Sequence, residues 1–218
     1  MHTSRLLFIA LLFGGTQSAH TQAPPNGSVS GTIVTETKIN TKGSTSQRDL
    51  VVYLVPKAKV ELPKPGKVSV AQKKLNFDPH VLPIQVGTEV EFTNGDAVKH
   101  NIFIEAECCR LDADTEKGEA RTHMFGTAGE FPVVCRLHPE MTMYVLALPT
   151  VHFVSVELQR DKEGSADGKI LHRAEFQLTG VPPGEYTLKT WNKKLKPIER
   201  QVTVLAGDNA PLDLLQAK

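Results

Sequence analysis

Apolar and polar residues along this chain recur with a period of two, not three or four. "GSVSGTIVTETKI", beginning at Gly27, alternates in this way, and "DLVVYLVP", from Asp49, follows it; both predict strands with one face buried. "KAKVELPKPGK" has the prolines and glycine of a connector. "LNFDPHVLPIQVGTEVEFTNGDAVKHNIFI" then predicts two or three short strands, with turns at Gly87 and at the "NGD" of Asn94 to Asp96. Residues Glu105 to Thr122 are polar and irregular, and predict a surface loop with at most one helical turn. "GEFPVVC" and "MYVLALP" are strand-like runs. Four more follow His152: "HFVSVELQR", "ILHRAEFQLTG", "GEYTLKTWN" and "IERQVTVLAG". With no long amphipathic helix and many short strands between turns, the expected class is all-β, of sandwich type.

Composition narrows the compartment and the partners. The chain has 218 residues, room for one large or two small cores. Its 25 Lys and Arg nearly balance 24 Asp and Glu, for a net charge of +1, and no block of one sign stands out. That argues against nucleic acid held on a basic patch. At the N-terminus, Arg5 precedes the short apolar run Leu6 to Phe13, and small residues Ser18, Ala19 and Ala23 follow. Residues 1–23 therefore predict a secretory signal, cut between Ser18 and Ala23, and the run is too short to span a bilayer. No later stretch predicts a membrane span. The expected location is a periplasm or the outside of a cell. A free thiol in such an oxidising place needs a reason, and the three cysteines are Cys108, Cys109 and Cys135.

Cys135 stands in "CRLHPEMTM", which holds one thiol, one imidazole and two thioethers within nine residues, Cys135 to Met143. These soft and borderline donors suit copper; calcium and magnesium take oxygen. A type 1 copper site needs two histidines, a thiolate and a weak axial thioether. Three come from the one tight loop. The second histidine must come from another strand, and His100, after the "NGD" turn, is placed for it. The c-type haem signature is absent, since it needs two cysteines before the histidine.

"FDPHVLPIQVGTEVEFTNGDAVKHN" followed by "GEFPVVCRLHPEM" resembles the cupredoxins. The ligand loop is similar to the short amicyanin type, and the order of parts resembles plastocyanin-like proteins of the methylamine-utilisation group. The resemblance is strongest from Phe77 to Leu148. It implies a Greek-key β-sandwich over 68–149 that binds one copper ion through His100, Cys135, His138 and Met141. It also implies that Asn101 ties the two ligand segments together. Met143 competes for the axial place. Met141 is preferred, because Pro139 tightens the turn and Met143 begins an apolar strand. The resemblance further implies one-electron transport without catalysis, through His138 at the exposed edge. The partner would be a periplasmic cytochrome or dehydrogenase docking there. A copper-binding or cell-surface interaction module with no dedicated redox partner is the alternative.

"FQLTGVPPGEYTLKTWN" resembles the carboxypeptidase regulatory-like, transthyretin-like fold. Its usual first strand, G-x-V-x-G, stands at the other end of this chain as "GSVSG". That implies a second small β-sandwich, discontinuous over 27–60 and 150–213, with the copper module inserted between. Two sandwiches in tandem is the other arrangement. Tyr186, Leu188 and Trp191 are expected in its core, and Met124 in a core beside Phe125. His80, His123, His152 and His172 are expected at the surface or hydrogen-bonded. Cys108 and Cys109 depart from the family pattern; adjacent cysteines can join in a strained disulfide, bridge to another chain or bind a soft metal.

Overall fold

A computed structural model describes residues 25–36, 49–161 and 171–216; the expected secretory signal lies outside the described residues. In chain order the strands are β1 (Gly27–Glu36), β2 (Asp49–Pro56), β3 (Lys67–Gln72), β4 (Phe77–Asp78), β5 (Val81–Gln85), β6 (Glu89–Asn94) and β7 (His100–Ile104). A 3-10 turn at Glu107–Cys109 leads into β8 (Leu111–Thr115), β9 (Ala120–Met124), β10 (Gly129–Val134) and β11 (Thr142–Leu148). Then come β12 (Phe153–Glu157), β13 (Gln159–Asp161), β14 (Leu171–Val181), β15 (Gly184–Trp191), β16 (Glu199–Val204), β17 (Gly207–Asp208) and β18 (Leu212–Gln216). The all-β class read from the period of two is the class observed.

The middle of the chain makes two sheets, β4-β3-β6-β9 and β5-β11-β10-β7-β8. Val90, Phe92, Ile102, Phe125, Val133 and Val145 fill the space between them. All but Phe125, which follows the last residue of β9, come from strands, where successive side chains point to opposite faces. The two ends of the chain make the other sheets. In one, the order is β13-β14-β1-β17, with β18 also on β1; in the other it is β12-β2-β15-β16. Val29, Ile33, Leu54, Phe176 and Leu188 pack between these two. Among the described residues, each ladder of β1 and β2 is with a strand after residue 150.

The glycines of "GSVSG" are required by close approach. A Cβ on Gly31 would overlap the Leu212 carbonyl oxygen and lie 2.9 Å from the Phe176 ring; one on Gly27 would overlap the Leu205 carbonyl oxygen. β1 can therefore be flanked closely by β14 and by the segment after β16 only where side chains are missing.

The two sandwiches touch along the outer face of β11 and β5. Val51, Val81, Leu146 and Leu148 are buried there, with Tyr53, Phe153 and Trp191 packed around them. Trp191 donates its indole N–H to Glu130 at 2.8 Å, and its ring lies 5.3 Å from that of Tyr144. Trp191 is thus half-buried at the junction rather than in the core, while Tyr186 and Leu188 are core as expected.

Several expectations are corrected. The expected surface loop from Glu105 to Thr122 contains the one helical turn, but also all of β8 and the start of β9. β8 reads as polar because it lies at the sheet edge, its alternate side chains exposed. β3 goes unread because it follows directly on the proline-rich connector. Met124 is 62% exposed, since it ends β9 on the face away from Phe125. His80 Nδ1 and His123 Nε2 are buried without a hydrogen-bond partner among the described residues. Burial holds the His123 imidazole below its ordinary range, against the hydrogen bond it makes to the Cys109 backbone.

Candidate metal centre

His100 opens β7, and Cys135 follows the last residue of β10. These are neighbouring antiparallel strands of one sheet, with Val134 opposite Phe103. Pairing of this kind brings His100 and Cys135 to the same end although they are 35 positions apart in the sequence. His138 comes from the loop between β10 and β11. That loop is closed by two backbone hydrogen bonds, Met141 N–H to the His138 carbonyl at 2.9 Å and Cys135 N–H to the Met141 carbonyl at 3.0 Å.

The result is a convergence of three donor atoms. His100 Nδ1 lies 3.2 Å from His138 Nδ1, and His138 Nδ1 lies 3.6 Å from Cys135 Sγ. All three ligand atoms fall within 4.8 Å of one another, in the one group of its kind among the described residues. His100 and Cys135 are buried, and His138 is partly exposed.

The tautomer of the neutral His100 ring follows from its other nitrogen. Nε2 sits 2.9 Å from Asp96 Oδ2. A carboxylate only accepts, so Nε2 is the donor, and in the neutral ring Nδ1 is the nitrogen that offers a lone pair towards Cys135 and His138. Asp96 is itself braced by the backbone N–H groups of Lys74 at 2.7 Å and Leu75 at 3.0 Å. Lys74 and Leu75 both have φ of 55°. Two such residues in succession cost of order 1–3 kcal/mol each, and the strained turn aims their N–H groups at Asp96. Burial opposes charge on the Asp96 carboxyl, but these hydrogen bonds and the His100 ring outweigh it and hold it below its ordinary range.

The second set of supports holds the sulfur. Asn101 N–H points at Cys135 Sγ at 3.3 Å. The expectation that Asn101 ties the two ligand segments together is met by its backbone; its side-chain amide instead donates to Asp112 at 3.0 Å and Asp114 at 2.9 Å. Asp112 also accepts from Arg136 at 2.6 Å, and the Arg136 guanidinium lies 3.7 Å above the Phe103 ring.

Met141 is fully buried, and its backbone bonds to both Cys135 and His138. Met143 pairs with Val133 in the β10–β11 ladder and shares the core between the sheets with Val145. Asp96 was missed by sequence reasoning. Its one signal was a carboxylate four residues before a histidine in a turn. On the loops beside these ligands, Leu137 and Val98 are 50% and 46% exposed.

A soft thiolate and two imidazoles, one held in a single tautomer, fit a copper ion by the chemistry of the donor set. Comparison with known families agrees: residues 65–147 match the model of the copper binding proteins, plastocyanin/azurin family. Among solved structures, a mutant of amicyanin in the Cu(I) form is 25% identical, with a TM-score of 0.36, over 38% of this chain and 83% of that one. A purple cupredoxin from Nitrosopumilus maritimus is 24% identical, with a TM-score of 0.33, over 37% of this chain and 98% of that one. A copper-containing nitrite reductase from Thermus scotoductus SA-01 is 27% identical, with a TM-score of 0.35, over 45% of this chain but 26% of that one. Comparison with curated proteins gives no match.

Proposed function

Because residues 65–147 form a copper-binding domain of the plastocyanin/azurin family, we propose that the chain is an exported one-electron carrier and not an enzyme. The observation that carries this reading is the convergence of His100 Nδ1, His138 Nδ1 and Cys135 Sγ. Copper bound there supplies a one-electron couple. His100, Cys135 and His138 would hold the ion as the strong donors, with Met141 as the weak one.

The protein's part is to hold these donors still. Asp96 fixes the His100 ring, Asn101 N–H orients the sulfur, and the two backbone bonds of the loop fix Met141 beside both. Rigid donors make the site the same in both oxidation states, which lowers the reorganisation that electron transfer costs. His138 is the ligand with access to solvent, and exposed Leu137 and Val98 supply apolar surface on the neighbouring loops. A redox protein such as a periplasmic cytochrome or dehydrogenase would dock there. Val134 and Arg136 flank Cys135, so no histidine beside the cysteine leads on to a second metal.

Adding Cu(II) to the metal-free protein should produce an intense visible thiolate band, and reduced c-type cytochrome should then bleach it. A band that a panel of such cytochromes leaves unchanged would favour the interaction-module reading. The absence of any band defeats both.

The axial assignment has its own test. Met141→Leu should keep the band and raise the reduction potential, because the oxidised state loses a donor. Met143→Leu conserves volume in a core, and should cost less than about 1.5 kcal/mol while moving the potential little. Voltammetry showing the shift in Met143→Leu and none in Met141→Leu would reverse the assignment.

We also infer that 27–60 and 150–213 form one folding unit of the carboxypeptidase regulatory-like type, with the copper module of 68–149 inserted. The ladders of β1 and β2 with strands after residue 150 support this. A fragment should begin near Pro63, whose carbonyl accepts from the Gln85 side chain at 2.7 Å. Residues 63–149 alone are expected to fold and load copper, though less soluble, since Val81, Leu146 and Leu148 lose their cover. If that fragment stays unfolded while 25–149 folds, the insertion is wrong.

A further inference from the structure

Cys108 and Cys109 take no part in the metal centre. They lie in the 3-10 turn after β7, at the end of that strand opposite His100. The four steps of β7 alone separate the ends by roughly 13 Å. The turn is closed by Cys109 N–H donating to the Ala106 carbonyl at 2.9 Å. The two sulfurs converge to 3.0 Å, inside the contact distance of two non-bonded sulfurs. Their surroundings differ sharply. Cys108 is exposed, while Cys109 is 4% exposed and packs in the core that contains Ile104 and Phe125.

We propose that Cys108 and Cys109 are a reversible thiol–disulfide pair, oxidised by small disulfides such as that of a glutathione-type tripeptide. The exposed Cys108 thiolate attacks one sulfur of the small disulfide, forming a mixed disulfide and expelling one small thiolate, which takes up the proton Cys108 gave. Cys109 then attacks Cys108 Sγ. The Cys108–small-thiol bond breaks, the second small thiolate leaves with the Cys109 proton, and the two adjacent residues are joined. Two protein thiols are oxidised and one small disulfide is reduced to two thiols. The order of events follows from exposure: only Cys108 is open to a reagent in solution. Burial, with the neighbouring Cys108 adding to it, pushes the Cys109 thiol up to about 11, so it stays protonated until the mixed disulfide is beside it.

The surroundings favour this over a metal: among the described residues no third His, Cys, Asp or Glu joins the two sulfurs in a group that could hold an ion. A disulfide needs no further donor, only closure of the two sulfurs to ~2.05 Å. Adjacent Cα atoms are ~3.8 Å apart, below the usual disulfide span of ~4.4–6.8 Å. The closed ring is therefore strained and readily reduced, as a reversible pair requires.

The test uses the full copper-loaded chain in buffers of rising oxidised-to-reduced glutathione ratio. After acid quenching, free thiols are labelled with a maleimide in denaturant, and the chain is cut with trypsin. Cys108 and Cys109 then lie together in the peptide His100–Arg110, and Cys135 in Thr122–Arg136. As the ratio rises, His100–Arg110 should lose both labels and become two hydrogens lighter, and dithiothreitol should reverse this. Cys109→Ser should stop with glutathione on Cys108, and Cys108→Ser should show no change. Two labels at every ratio, a glutathione adduct that never closes in the natural chain, or a bridge to the Cys135 peptide would each overturn the proposal.

Discussion

Cys135→Ser is expected to abolish the visible thiolate band and to weaken Cu(II) binding by more than about 100-fold, since losing even an outer-shell partner of a metal ligand costs roughly 10–100-fold. Serine keeps the shape of the side chain. Its hydroxyl stays protonated and is a hard donor, which copper takes poorly beside two imidazoles. The fold should survive although the site is buried, because Asn101 N–H, which faces the sulfur, can donate to a hydroxyl instead. Titration of the metal-free variant, followed by absorption and paramagnetic resonance, measures both effects. A fully loaded, blue Cys135→Ser chain would remove Cys135 from the site.

Gly31→Val is expected to destabilise the sandwich built from the chain ends by about 3 kcal/mol or more, at or beyond the upper end of overpacking costs. The new Cβ would overlap a backbone carbonyl, that of Leu212, which cannot swing aside as a side chain can. β18 pairs with β1 at this residue, so relieving the overlap means breaking part of that ladder. Gly126→Ala is the control. Its Cβ meets nothing within 4 Å, and a change within about 0.5 kcal/mol is expected. Denaturant unfolding of both variants measures the difference. Since Gly31 lies outside the copper module, the thiolate band of the copper-loaded Gly31→Val protein should persist to denaturant concentrations at which the first unfolding step is complete. Simultaneous loss of the band and of that step would show one cooperative unit.

What could be read from the chain alone was whatever depends on near neighbours. The period of two in "GSVSGTIV" determines strands, because a strand buries one face whatever lies across from it. "CRLHPEM" places three donors in one loop, because a tight turn between strands leaves them nowhere else to go, and Cys135 and His138 do meet. His100 was legible only by supplying a missing fourth donor. Interactions set by distant segments were not legible. Asp96 matters because the turn at Lys74 and Leu75, more than twenty positions earlier, reaches across to it. Trp191 looks like core in its own strand, and becomes a junction residue only because Glu130 and Tyr144 stand opposite. Met124 reads as core beside Phe125, yet it ends a strand whose outward face no described residue covers. Sequence spacing determines which side of its own strand a residue occupies; only tertiary packing decides what, if anything, waits on that side, because burial belongs to two surfaces and the chain writes down one at a time.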